Sequence, residues 1–180
     1  MLPFGHAAPI DLTLTGPRRL AILGANGSGK STLLHVIAGH LPARGGEIMR
    51  HGPIGWLDQH AGSRYPERTA VQWLYESNPR LPEAEARTRL AQLGIDADRA
   101  MLKTRQLSGG ERLKIALAAQ LHAQRPPHLL LLDEPDNHLD LPSIIALEQM
   151  LDQYRGALIV VSHDSAFLQA LRLDGELRLQ

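Results

Sequence analysis

The 180-residue chain contains no cysteine. That absence excludes disulfide frameworks, thiolate metal sites and cysteine nucleophiles, while leaving the compartment open. An excess of one charge is missing too, since 19 basic residues balance 19 acidic ones. A surface that coats nucleic acid relies on surplus Lys and Arg to displace counterions, so general coating is excluded and only a local basic patch stays open. Long apolar runs are also absent. The clean ones, such as Leu129 to Leu132 and Ala157 to Val161, fall far short of the ~18 residues that cross a bilayer. The opening MLPFGHAAPIDL has no basic start followed by an apolar stretch, so it does not read as a secretory leader, and the expected compartment is the cytoplasm. No internal repeat or low-complexity tract is present. What is there is enough apolar material, 43% of residues, to build the core of one domain.

Glycines and prolines fall between apolar segments, the punctuation of alternating strands and helices, and the expected class is α/β. Ile10 to Thr15 alternates apolar and polar, and Leu20 to Leu23 is a short apolar run ending at Gly24; both read as strands. Ser31 to Gly39 has helical spacing and a glycine at its stop. Glu47 to Arg50 and Ile54 to Leu57 read as two further strands. From Arg64 to Arg105 the texture turns charged and helical, with helices expected over Ala70 to Ser77 and Pro82 to Leu93 and a stop at Gly94. Eight basic and six acidic residues mix there, as on a solvated helical subdomain. Beyond it come a helix over Ser108 to Leu121, a strand over His128 to Leu132, a helix over Pro142 to Tyr154, a strand over Ala157 to Val161, a short helix from Ser165 and a last strand over Glu176 to Leu179. Unbroken aliphatic strands such as LLLL and ALIVV suit a mostly parallel sheet covered on both faces.

The sharpest feature is Gly24-Ala25-Asn26-Gly27-Ser28-Gly29-Lys30-Ser31, followed by Thr32, which fits GxxxxGK[ST] between a strand and a helix. Glycines let the backbone wrap closely enough to aim successive N–H groups at phosphate oxygens, and the helix beginning at Lys30 adds its positive end. Lys30 is expected to reach the β- and γ-phosphates and Ser31 to ligate Mg2+. Such a loop does not by itself choose among kinases, GTPases, motors and transport-type ATPases. Residues 129 to 140, LLLLDEPDNHLD, carry Asp133 to the sheet edge where the loop lies, there to hold Mg2+ through water, with Glu134 next to it able to orient or deprotonate an attacking water. The competing reading is that Asp133 and Glu134 only cap the turn before Pro135. Ser108-Gly109-Gly110-Glu111 is a capping box opening a helix, and its glycine pair also frees N–H groups for a second phosphate.

GANGSGKST, Gln59, LSGGE, LLLLDEP, NHLD and VSHD, in this order and over essentially the whole chain, resemble an ATP-binding cassette domain. Glu111 in LSGGER, where membrane transporters commonly have Gln, together with the EPxNHLD pattern, is most similar to the ABC-F branch of two-cassette ATPases. The resemblance implies a P-loop ATPase core over 1–63 and 106–180, a small truncated antiparallel β region, and an unusually short helical subdomain over 64–105. It implies that ATP and Mg2+ bind, and that ATP is hydrolysed between the phosphate loop of one cassette and Ser108, Gly109 and Gly110 of another. Gln59 then matches the glutamine that senses Mg2+ and the γ-phosphate, His163 the histidine that contacts the γ-phosphate, and Asp140 the aspartate at the dimer seam. Phe4 falls near the adenine-stacking aromatic, with core packing equally open. Asp136 departs from the usual Thr, and no clear strand precedes Phe4, so the chain resembles the C-terminal cassette of a longer protein, begun late. The implied partners are a second cassette and the ribosome. A nucleotide-binding subunit of a membrane transporter is the alternative, and a fold retained without turnover is a third.

Overall fold

Residues 9–58 and 65–179 are described by the structure, a computed structural model. The strands are β1 (Arg19–Leu23), β2 (Ile54–Asp58), β3 (Leu129–Asp133), β4 (Ala157–Val161) and β5 (Gly175–Arg178). The helices are α1 (Lys30–Ala38), α2 (Ala70–Ser77), α3 (Glu83–Gln92), α4 (Ala97–Ala100), α5 (Gly109–Leu121), α6 (Leu141–Gln153) and α7 (Ser165–Ala170), with a 3₁₀ turn at Thr104–Gln106. One sheet runs in the order β2-β3-β4-β1-β5, and every pairing in it is parallel.

The aliphatic strands explain the layering. Side chains alternate across a pleated strand, so an uninterrupted apolar run needs a core on each face. Leu130, Leu132, Leu158 and Val160 enter one cluster with Ile115, Leu117, Leu147 and Phe167. Leu131, Ile159 and Val161 enter the other with Ile22, Leu33, Leu34 and Trp56. Helices then start where a side-chain acceptor can take the first free N–H groups. Thr69 and Gln72 form a reciprocal box at α2, Asp140 accepts from Ser143 N at 3.1 Å at α6, and Asp164 accepts from Ala166 N at 2.8 Å at α7. C-terminal ends of α7, α6 and α1 are tied too: Arg19 donates to Leu171 O at 3.0 Å and Leu151 O at 2.7 Å, and Arg50 covers the last carbonyls of α1 at Val36 and Ile37.

Two expected strands are corrected. Neither 10–15 nor 47–50 joins a ladder, so the small antiparallel region shrinks, among the described residues, to a single bridge between Thr69 and Lys103. Ile10, Leu12 and Leu14 do alternate half-buried with exposed neighbours, because they pack on the second core cluster. The period of two reports that packing, not hydrogen bonding. Residues 47–50 lie exposed, their course set by Arg50 reaching back to α1. Pro82 is the cap of α3 instead of its first residue, and α4 and the 3₁₀ turn were not anticipated. No helix among the described residues is long and apolar enough to cross a membrane.

Candidate nucleotide site

The loop after β1 is shaped by packing beneath it. Gly24 lies so close to the end of β5 that a Cβ there would stand 2.8 Å from Leu179 O, and Leu179 N donates to Leu23 O at 2.8 Å. Gly27 and Gly29 adopt φ of 81° and 94°, the left-handed region that a side chain resists, and turn the chain into α1. Lys30 is buried, with Nζ donating to Gly24 O at 2.9 Å and Ala25 O at 3.1 Å, which fixes an ammonium within the loop. Ser28 Oγ is buried there without a hydrogen-bond partner. A buried hydroxyl without an acceptor is costly in a closed core but suits a loop that wraps an anion.

Parallel strands bring other residues to the same edge. The register sets Asp58 of β2 beside Asp133 of β3, and Ser31 Oγ of α1 donates to Asp133 Oδ1 at 3.1 Å. Burial pushes the Asp133 carboxyl above its ordinary range; the Ser31 hydrogen bond opposes this, and the charges of Glu134 and Asp58 add to it. A hydroxyl and a half-buried carboxylate, both hard oxygen donors, form a donor set suited to Mg2+ and not to a soft metal. Glu134 follows in the left-handed region at φ 49°, with its N–H donating to Val161 O at 2.8 Å. A non-glycine residue held in that conformation is a mark of constraint at working sites. Its Oε2 accepts from Asn137 Nδ2 at 2.6 Å, and its Oε1 lies 3.5 Å from His163 Nε2. Asp136 accepts from Ser162 Oγ at 2.8 Å, while its second oxygen is buried without a partner and burial pushes its carboxyl up.

Ser108, Gly109 and Gly110 stand apart, at the start of α5, a helix that packs on α2, α6 and β2. Ser108 Oγ accepts from Glu111 N at 3.2 Å and Glu111 Oε2 accepts from Ser108 N at 2.8 Å, so the capping box is complete. A Cβ at Gly109 would meet nothing within 4 Å, whereas one at Gly110 would stand 2.2 Å from Ser143 Oγ. Asp140, nearby on the same helix as Ser143, is held below the ordinary carboxylate range by its hydrogen bonds from Ser143. Gln59 and Phe4 lie outside the described residues.

Residues 7–137 match the family described as ABC transporter. The chain belongs to the ATP-binding cassette family. Among this cassette's relatives is the mouse ATP-binding cassette sub-family F member 3, 40% identical over 157 residues, which are 84% of the chain and 21% of that protein. Another is the probable ATP-binding protein YheS of Escherichia coli K12, 40% identical over 164 residues, 89% of the chain and 25% of that protein. The cassette thus spans a quarter or less of these relatives, and its relatives include ABC-F members. Among solved structures it superposes on archaeal ribosome recycling factor aABCE1, in complex with the archaeal ribosomal stalk protein aP1, with a TM-score of 0.73, 26% identity, and coverage of 91% of this chain and 32% of that one.

The structure also brings in residues that sequence reasoning passed over. Asn137 and Ser162, read only as parts of motifs, hold Glu134 and Asp136, and Asp58 lies beside Asp133 at the same edge of the candidate site. Only the parallel register and the return of the chain at β4 create those contacts. A broad concavity among the described residues lies elsewhere, against the 9–17 and 43–51 segments at the opposite ends of β2, β3 and β4, and the phosphate-loop residues 24–31 do not line it.

Proposed function

We propose that this cassette binds ATP with Mg2+ and hydrolyses it to ADP and phosphate in company with a second cassette, as a cytoplasmic ABC-F-like ATPase acting at the ribosome. The observation that carries the reading is the 3.1 Å contact of Ser31 with Asp133, two residues from separate motifs 102 positions apart, with Glu134 and His163 alongside. Phosphoryl transfer of this kind depends mostly on positioning and electrostatics. Lys30, the loop N–H groups and Ser28 Oγ bind the β- and γ-phosphates. Ser31 and Asp133, with Gln59, hold Mg2+, which when bound neutralises phosphate charge. Glu134 takes the proton of the attacking water, with Asn137 fixing one carboxylate oxygen and His163 beside the other. Ser108, Gly109 and Gly110 meet the ATP of the second cassette, and Asp140 lies at the seam between the two. The ribosomal role is supported by the sub-family F relatives and by the likeness to a ribosome recycling factor.

Glu134→Gln keeps the shape and the Asn137 contact but removes the proton acceptor. The variant is expected to bind ATP as the parent does and to lose hydrolysis by about 100-fold or more. Parental turnover would remove Glu134 from this role. The same variant, mixed with ribosomes, is expected to pellet with them in ATP and not in ADP; a pellet indifferent to nucleotide counts against the ribosomal role.

A further inference from the structure

We propose that Arg99 is a positioning residue for the Ser108–Gly110 turn, acting through Glu111 to keep the nucleotide-facing end of α5 capped and electrically positive. The inference rests on the composite site proposed above. Glu111 is only 8% exposed, and its two carboxylate oxygens have different tasks. Oε2 closes the capping box on Ser108 N, while Oε1 pairs with Arg99 Nη1, which arrives from α4 in the helical segment.

The pairing answers a physical problem. A helix start attracts an anion through its free N–H groups and the positive end of its dipole, and a carboxylate held three residues in works against that attraction. A glutamine at this position caps without adding charge, but a glutamate needs a cation. The Arg99 guanidinium supplies it. Desolvation favours the neutral acid at Glu111, yet hydrogen bonds from Ser108 and Arg99 together hold the carboxyl below its ordinary range, so it is ionised and paired. With Glu111 satisfied, the N–H groups of Gly109 and Gly110 are left for a ligand, and the open side of Gly109 is where one fits.

Arg99 is itself anchored. Its helix is capped by Asp96, whose Oδ1 accepts from Arg99 N at 2.8 Å, and Ala100 is buried against the neighbouring helices. The ion pair therefore ties the helical segment to the turn, and a shift of α4 is felt at Glu111. Glu111 is the buried member of the pair, its side chain 11% exposed against 50% for Arg99, so removing Arg99 leaves a largely buried carboxylate uncompensated, whereas removing both charges is nearly neutral. That asymmetry separates this role from plain packing.

The test compares the parent, Arg99→Ala, Arg99→Lys and the double variant Arg99→Ala with Glu111→Gln, all in a Glu134→Gln background. Amide exchange of the first turn of α5 is read without nucleotide, and the ATP concentration for half-maximal pairing is read by sedimentation. Arg99→Ala is expected to speed first-turn exchange by about tenfold and to raise the ATP needed for pairing by a similar factor. The double variant is expected to return both to within about twofold of the parent, and Arg99→Lys to fall between. Parental exchange in Arg99→Ala, or a double variant no better than the single one, overturns the proposal. Exchange follows the pair whether or not copies associate. Failure of the parent to pair in ATP would therefore strike the composite site alone, while the exchange result still decides the role of Arg99 at the turn.

Discussion

Two adjacent glycines at the start of α5 should respond in opposite ways to the same substitution. Alanine is the better helix former, by roughly 0.5–1 kcal/mol within a helix and less at its first position. At Gly109 the added methyl meets nothing within 4 Å, so Gly109→Ala is expected to stabilise the isolated chain by about 0.5 kcal/mol, or roughly 1–2 °C for a domain of this size. At Gly110 the new Cβ would sit 2.2 Å from Ser143 Oγ and 2.8 Å from Ser143 Cβ. Rotating the hydroxyl away relieves the first contact but not the second, so α5 and α6 must separate by several tenths of an ångström at the turn. Overpacking of that kind costs about 1–3 kcal/mol. Calorimetry of the two variants gives the signs. Function should not follow stability, since a methyl at Gly109 stands on the open side where the second cassette's ATP is proposed to fit. Gly109→Ala is therefore expected to be the more stable protein and yet to pair poorly in ATP. Destabilisation by Gly109→Ala would refute the open geometry, and parental pairing would refute the assignment of that side to nucleotide.

Lys30→Ala removes the charged donor from the loop and is expected to weaken nucleotide binding about 100-fold in a fluorescent-ATP titration, with undiminished affinity counting against the loop as the phosphate site. Asp133→Asn tests the half-buried carboxyl: because burial raises its folded-state pKa, the stability of the native state is fullest below the ordinary carboxylate range and falls as pH rises through the raised value. The asparagine variant should lack that fall and be the more stable of the two near neutral pH, while losing Mg2+-dependent stabilisation by ATP; thermal melts across pH 4 to 8 show both. Leu131→Ala opens a cavity at a fully buried position of β3 and is expected to cost about 3 kcal/mol in urea denaturation, a cost under about 1 kcal/mol being inconsistent with the described core.

Local patterns made most of this molecule readable. The phosphate loop, the LLLLD strand and the Ser108–Glu111 box each carry their physics within a few consecutive residues, and the described structure forms all three. Failures came where the deciding partner is distant in sequence. Ile10 to Thr15 has a strand's alternation, but a strand also needs a ladder partner, and apolar packing alone produces the same pattern. Helix α4 has only four residues, two of them charged, and its one local sign is the Asp96 cap. Asn137 against Glu134, Asp58 beside Asp133 and Ser162 against Asp136 depend on register and on a returning strand. Gly110 was legible as a freed N–H, whereas its need for close contact with Ser143 was not.

The seating of Gly24 under Leu179 bears on how a degenerate copy of this sequence would be diagnosed. A glycine required by the last strand would persist in a chain that had stopped turning over ATP, because losing it would disturb the sheet before it disturbed any chemistry. Gly110, pressed on Ser143, is protected in the same way. Ser28 is the opposite case: its hydroxyl serves no partner in the folded chain, so folding alone gives no reason to retain it. Motif positions thus divide into those that testify to architecture and those that testify to catalysis. An inactive descendant should first drift at Ser28, Gly109 and Glu134 while Gly24 and Gly110 are kept.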